Sequence, residues 1–239
     1  KWGDLFNSRQ KLALITFVEK VRQAHEKMLV EGEEEEYAKA VVSYLALGVD
    51  RLASYDTTNA PWHVTNESAT QIFGRQALPM VWDYAETNPF ADSFSWQVQM
   101  EWIIRGIENL SQAGIIPATV THSSLLVPIV TQASATSLPY PDNYFDAVIT
   151  DPPYYDNVNY AELSDFFYVW LKRTVGELHL DLLSTPMVPK TEEIVSNPVR
   201  HGNDKKAKQF FEEMITKAFK EIYRVLKPKG IACIVFAHK

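Results

Sequence analysis

Phe145-Asp146-Ala147-Val148-Ile149-Thr150-Asp151-Pro152-Pro153-Tyr154 is the stretch on which the fold turns. Its first six residues are a short apolar, β-branched run, the pattern of a buried strand. The last four place an acid, two prolines and an aromatic ring just past that strand's carboxyl end. In open α/β sheets this edge is where ligands bind. Proline fixes φ, lacks an N–H and pushes the residue before it into extended geometry. Two in succession hold Asp151 and the Pro152 carbonyl stiffly, which suits preorganised electrostatic stabilisation.

The tetrad fits methylation of an amino group on a nucleobase. The exocyclic amine of adenine or cytosine is a poor nucleophile because its lone pair is conjugated into the ring. Two acceptors aimed at its hydrogens favour a tetrahedral nitrogen and free that lone pair. The Asp151 carboxylate is one candidate acceptor and the Pro152 carbonyl the other. Pro153 rigidifies the turn, and Tyr154 offers a face on which a base can stack, worth about 1–3 kcal/mol per base. A base inside a duplex is out of reach and has to be flipped out. The plain alternative is a strand-ending turn, since Asp and Pro are ordinary turn residues. The surroundings weigh against it. Leu138-Pro139-Tyr140-Pro141-Asp142-Asn143 reads as a turn into the strand, and Tyr155-Asp156-Asn157-Val158-Asn159-Tyr160 is rich in amides and aromatics.

Residues 138–154 resemble the catalytic motif of the amino-methyltransferases that act on DNA with S-adenosylmethionine (SAM). The following residues 155–167 are similar to the large prokaryotic proteins described as adenine-specific DNA methylases. Trp2-Gly3-Asp4-Leu5-Phe6 and Gly74-Arg75-Gln76-Ala77-Leu78-Pro79-Met80-Val81-Trp82-Asp83-Tyr84 also resemble that group. The motif-level likeness is confined to about residues 138–172. It implies a SAM cofactor, a DNA partner and adenine N6 as the favoured target over cytosine N4.

Hydrophobic periodicity divides the chain. Asn7 or Ser8 caps an expected helix reaching about residue 28, with Leu14, Val18, Val21, His25 and Met28 on one face. A second runs from about 34 to 53, its inward stripe Tyr37, Val41, Tyr44, Leu45, Gly48 and Leu52. Residues 54–75 read as a long polar loop, 76–86 as a short helix interrupted by Pro79, and 96–112 as a further helix. From Pro117 the texture becomes β-branched: residues 119–121 and 127–131 are strand material. After the tetrad come a helix over 161–172 and a long polar connection over 174–206. An amphipathic helix then carries Phe211, Ile215, Ala218, Phe219, Ile222 and Leu226. Lys227-Pro228-Lys229-Gly230 stops it, and 231–237 is a buried strand. Strands alternating with helices predict an α/β fold with parallel crossovers. The expected architecture is part of a Rossmann-like SAM-dependent methyltransferase sheet. Residues 1–115 would form a helical N-terminal subdomain and 116–239 the second half of the α/β domain.

One half of such a site is missing from the sequence. A SAM-binding fold needs a glycine-rich turn after its first strand, where backbone approaches the cofactor. The nine glycines are scattered, with no two close together. The expectation is a fragment of a longer protein, with an upstream segment carrying that motif as its partner. Where the family often has an acid facing the SAM adenine, this chain has Ser134 between Ala133 and Ala135. Ser134, Ala135 and Asp151 are therefore the candidate cofactor contacts, a simple strand-end serine being the other reading of Ser134.

Tyr155, Asn157, Asn159 and Tyr160 are candidates for the wall of a base pocket. Helix capping by Asn159 and core packing by the tyrosines is the alternative. Arg173 and the cluster Arg200, Lys205, Lys206 and Lys208 could meet phosphates, or form a solvated surface. Asn88-Pro89-Phe90 echoes the tetrad but lacks its second proline and its strand, and reads as a turn. The net charge of −7 argues against a whole-surface nucleic-acid binder, leaving room for a local basic channel. Part of that charge comes from Glu31 and Glu33 to Glu36 at an expected helix start. The single cysteine, Cys233, and six scattered histidines give no disulfide framework or metal cluster. No apolar run spans a bilayer and no secretory pattern is present, so the expectation is a cytoplasmic protein without a membrane partner. Two rivals stand beside DNA methylation: an RNA base methyltransferase, and a non-catalytic nucleic-acid-binding module.

Overall fold

The structure, a computed structural model, describes residues 1–113 and 128–236. The chain forms two compact units, one from residues 1–128 and 162–188, the other from 129–161 and 189–239. The expected boundary near residue 115 lies outside the described residues, as does the expected strand over 119–121.

In the first unit a short 3-10 turn, Trp2–Leu5, precedes α1, Ser8–Val30. Asn7 caps α1 reciprocally: its Oδ1 accepts the Gln10 N–H at 2.9 Å, and Gln10 Oε1 accepts the Asn7 N–H at 2.9 Å. This is the capping box that satisfies two otherwise orphaned donors. α2, Glu35–Tyr55, packs against α1, and α3, Trp96–Gln112, packs against α2. Gly48 permits the latter, since a Cβ there would lie 2.5 Å from Met100 Sδ and 3.2 Å from the Trp96 ring.

The core joins Leu14, Val18 and Val21 of α1 to Val42, Val49 and Leu52 of α2. Phe166, Tyr168 and Trp170 complete it from α4, Tyr160–Val175. Phe6 stacks on Phe166 at 5.7 Å and meets Trp170 edge-on at 5.3 Å. The aromatics Phe166, Tyr168 and Trp170 of α4 are thus core. Residues 162–188, which the sequence reading groups with the α/β half, here belong with the N-terminal helices.

Three expectations change in this unit. The expected inward stripe of α2 holds in part: Gly48 and Leu52 are buried and Leu45 packs on the core, but Ala38, Val42, Ala46 and Val49 fill the face where Tyr37 and Tyr44, which are exposed, were expected. Small alanines admit neighbouring elements where tyrosines would hold them off. The expected loop over 54–75 contains an antiparallel hairpin, β1 Trp62–His63 with β2 Ser68–Ala69. The loop is anchored because Thr57 and Thr58 donate to the Leu5 carbonyl, and the Ile72 N–H to the Ser54 carbonyl. The expected helix over 76–86 does not form. Its groups bond outward instead: the Pro79 carbonyl accepts from Asn59 and the Glu86 carboxylate from Arg9.

The second unit holds β3, Phe145–Thr150, and β4, Leu226–Ile234, paired in parallel. Between them in sequence come α4, two short helices, α5 Leu180–Leu183 and α6 Pro198–His201, and the long α7, Asp204–Val225. Phe145 pairs with Leu226, and Ala147 with Ile231. One β3 residue, Asp146, therefore faces the whole Lys227-Pro228-Lys229-Gly230 insert. That stretch was expected to separate helix from strand; it is a four-residue bulge inside β4. Lys227 Nζ reaches Asp146 Oδ1 at 2.7 Å and ties the bulge down. Arg224 of α7 clamps the 138–142 turn, donating to the carbonyls of Tyr140 at 2.8 Å and Leu138 at 3.0 Å and pairing with Asp142.

Neither strand is buried as the sequence predicts: Ile149 is 80% exposed and Ile231 71%. Pro128, Ile129, Val130 and Thr131, expected as strand, are exposed and form none; Val127 of that expected strand lies outside the described residues. Among the described residues the parallel sheet has two strands. The architecture is mixed α/β with a small parallel pair. Among the described residues no helix is long and apolar enough to cross a membrane.

Candidate functional site

The parallel register decides where the tetrad stands. Thr150 pairs with Ile234, and its carbonyl accepts the Val235 N–H at 2.9 Å. The carboxyl ends of β3 and β4 therefore lie side by side, and Asp151 to Tyr154 leave the sheet beside Val235 and Phe236. Pro152 is buried, while the Asp151 carboxylate faces solvent. Tyr154 donates its hydroxyl to Asp151 Oδ1 and meets the Phe236 ring edge-on at 5.2 Å. That bond to Asp151, with lesser contributions from desolvation and the carboxylate's charge, raises the Tyr154 phenol above its ordinary 10.0. One acceptor of Asp151 is thus occupied by its own turn, and any incoming hydrogen-bond donor has to use the other oxygen or displace the phenol.

Beyond the tetrad the backbone turns sharply. Tyr155 has φ +45°, the left-handed region that a non-glycine residue adopts only under constraint. Three contacts supply the constraint. Its ring stacks on Phe211 of α7 at 4.4 Å, its hydroxyl donates to Glu212 at 3.4 Å, and its carbonyl accepts the N–H of buried Ser196 at 2.9 Å.

Here a cavity of about 470 Å³ opens, with Tyr154, Tyr155, Asn157 and Phe236 in one part of its wall. Ser196, Pro198 and α7 residues Asp204, Lys208 and Glu212 supply the rest, with Asp156. Three carboxylates face one lysine. Such a wall is rich in acceptors and suits a ring carrying hydrogen-bond donors better than it suits a phosphate.

The expected site residues divide. Tyr155 and Asn157 join Tyr154 at the cavity; Asp151, Pro152, Pro153, Asn159 and Tyr160 do not line it. Asn159 Oδ1 accepts from Asn197 Nδ2 at 3.3 Å, and Tyr160 begins α4. Ser134 Oγ turns onto its own bend, bonding Thr136 Oγ1 at 2.9 Å, and neither it nor Ala135 lines the cavity. Arg200, expected among the phosphate contacts, forms a largely buried ion pair with Glu193 at 2.6 Å.

Glu193 is the residue sequence reasoning misses. Its Oε1 accepts the Ala161 N–H at 2.8 Å, capping α4 just after the tetrad loop, while Oε2 holds Arg200. An acid in a polar connection gives no sign that it caps a helix 32 residues upstream. No known protein family, curated protein or solved structure matches the chain.

Proposed function

We propose that this chain carries the target-amine half of a SAM-dependent methyltransferase acting on an exocyclic amino group of a DNA base, adenine N6 favoured over cytosine N4. The carrying observation is the Asp151-Pro152-Pro153-Tyr154 turn at the adjoining carboxyl ends of two parallel strands, its last residue, Tyr154, in the wall of an acceptor-rich cavity. Ligand sites of open α/β sheets lie at that edge. In this reading Asp151 and the Pro152 carbonyl accept the amine hydrogens, Pro153 stiffens the turn, and Tyr154 and Phe236 offer faces for the base. Tyr155, pinned on Phe211, sets the shape of the loop, and Asn157 reads a base edge. The exposed lysines 205, 206 and 208 at the start of α7 are the local cations available to a DNA backbone.

The residues described do not fit the methyl donor. No glycine lines the cavity, and Ser134 spends its hydroxyl on Thr136. SAM would supply the electrophilic methyl group, and the chain's own residues would hold only its acceptor. We therefore assign the donor side to an upstream, glycine-rich segment of the same protein, with the doubly wound sheet completed there. The exposed faces of β3 and β4 support this, because parallel sheets are ordinarily covered on both sides.

Methyl transfer from labelled SAM to matched DNA and RNA tests the reading. The 239 residues alone are expected to give no transfer, and the polypeptide extended upstream is expected to methylate DNA. Replacing Asp151 by Ala should cost the extended protein on the order of a hundredfold or more in kcat, the scale of losing one preorganised polar contact. Activity on RNA alone would move the substrate to RNA. No SAM binding by either polypeptide would leave a binding module.

A further inference from the structure

The first unit contains a second cavity, of about 400 Å³, that the tetrad chemistry does not use. Its volume is in the range that takes small organic ligands. Its floor is apolar and buried: Val18 and Val21 of α1 and Val42 of α2. Its rim is charged, with Arg22, Glu26, Lys172, Arg173 and Glu177. Three cations therefore face two acids. Arg22 pairs with Glu177 at 2.9 Å, and Lys172 donates to the carbonyls of Ser184 and Thr185. The rim thus carries one more cationic than acidic side chain.

His25 also lines the cavity, and its Nε2 is buried without a hydrogen-bond partner. Buried polar nitrogens are rarely left so. Gly176 shapes the wall: a Cβ there would lie 2.3 Å from the Lys172 carbonyl oxygen, so the chain turns tightly at the end of α4.

We propose that this cavity binds a small amphipathic monocarboxylate, its apolar body on the valine floor and its carboxylate at Arg173. An apolar floor under a rim with one excess positive charge selects a molecule with one apolar end and one negative charge. A doubly charged phosphate would overshoot the rim and leave the floor unfilled. His25 lines the same cavity, so its ring reports on occupancy.

The test uses octanoate as probe, with octan-1-ol and inorganic phosphate as controls. Calorimetry and the ring NMR signals of His25 are followed on the full 239-residue chain. Octanoate is expected to bind saturably and shift the His25 signals, at least about tenfold more tightly than octanol, a difference near 1.4 kcal/mol. Arg173→Gln should remove that preference. Ile15→Trp, a bulkier side chain at a half-exposed cavity residue, should abolish binding with the helical circular dichroism unchanged. Equal affinity for octanol would reduce the site to an apolar void. Phosphate competing with octanoate, or no saturable His25 shift, would overturn the proposal.

Discussion

Asp56, the residue that ends α2, is 2% exposed although it sits in a stretch whose composition reads as solvated loop. Desolvation, with the nearby charge of Glu86 second, pushes its carboxyl from an ordinary 3.8 up to about 6. The Thr87 hydroxyl offsets this only in part. Asp50 is buried too, its Oδ1 has no hydrogen-bond partner, and burial likewise drives it upward. The sign follows from proton uptake. A carboxyl whose folded pKa exceeds its unfolded one binds more protons when folded, so stability rises as pH falls through the folded value. At neutral pH the ionised Asp56 costs on the order of 2–3 kcal/mol, given the shift from 3.8 to about 6. Glu221 works the opposite way. Bonds from Arg224 and the Leu138 N–H hold it down at about 2 from 4.5, so its contribution is lost only below pH 4.5. Between pH 6 and 4.5 the Asp56 effect is therefore unopposed by Glu221. The melting temperature should rise across that window on acidification. Asp56→Asn should raise it at pH 7.5 and flatten the slope; an unchanged slope would show that Asp56 is not the titrating group.

At the scale of elements, caps and spacing carry most of what the sequence can say. The bounds of α3 are legible because Ser95 supplies a cap and the apolar spacing begins at once. α1 is legible for the same reason at Asn7. The tetrad's position past β3 is legible because the strand's β-branched run stops at Asp151. The β4 bulge is not, since a lysine-proline-lysine-glycine stretch reads as a helix stop whether or not a strand has begun before it. Its register depends on Asp146, 81 residues away, and on Gly230. A Cβ at Gly230 would lie 2.9 Å from the Asp146 carbonyl oxygen and 2.6 Å from Leu226 Cδ1. The carbonyl belongs to the partner strand's backbone and cannot swing away. Gly230→Ala should therefore destabilise by about 1–3 kcal/mol, the range for overpacked sites, as read by urea unfolding. Gly3→Ala, where a Cβ meets nothing within 4 Å, is the neutral control. Equal midpoints for the two variants would mean that the bulge repacks freely.

At the scale of the whole molecule, the two units differ in how their hydrogen bonds are protected. The helices of the first enclose a core in which Leu14, Val49 and Leu52 are wholly buried. The second pairs two strands whose apolar side chains, Ile149, Ile231 and Ile234 among them, stand in solvent. Such burial is not legible in the sequence, because a β-branched run reports the surroundings a strand is suited to and not which neighbours cover it. A two-stranded sheet is marginal in water without further strands or a packed helix on its face. Opening free energies should follow: amides in poorly covered elements exchange through local opening, and amides in packed cores only near global unfolding. Hydrogen exchange on the 239-residue chain should therefore find α1 and α2 the slowest, with the β3 and β4 ladder from Ala147 to Thr150 exchanging much faster. If the proposed upstream segment completes the sheet, extending the polypeptide should slow the ladder and leave α1 and α2 as they were. Ladder amides as slow as the α1 core in the 239-residue chain would show that the strand pair is stable by itself. The exposed faces would then be ordinary surface, and their support for a completing segment would be gone.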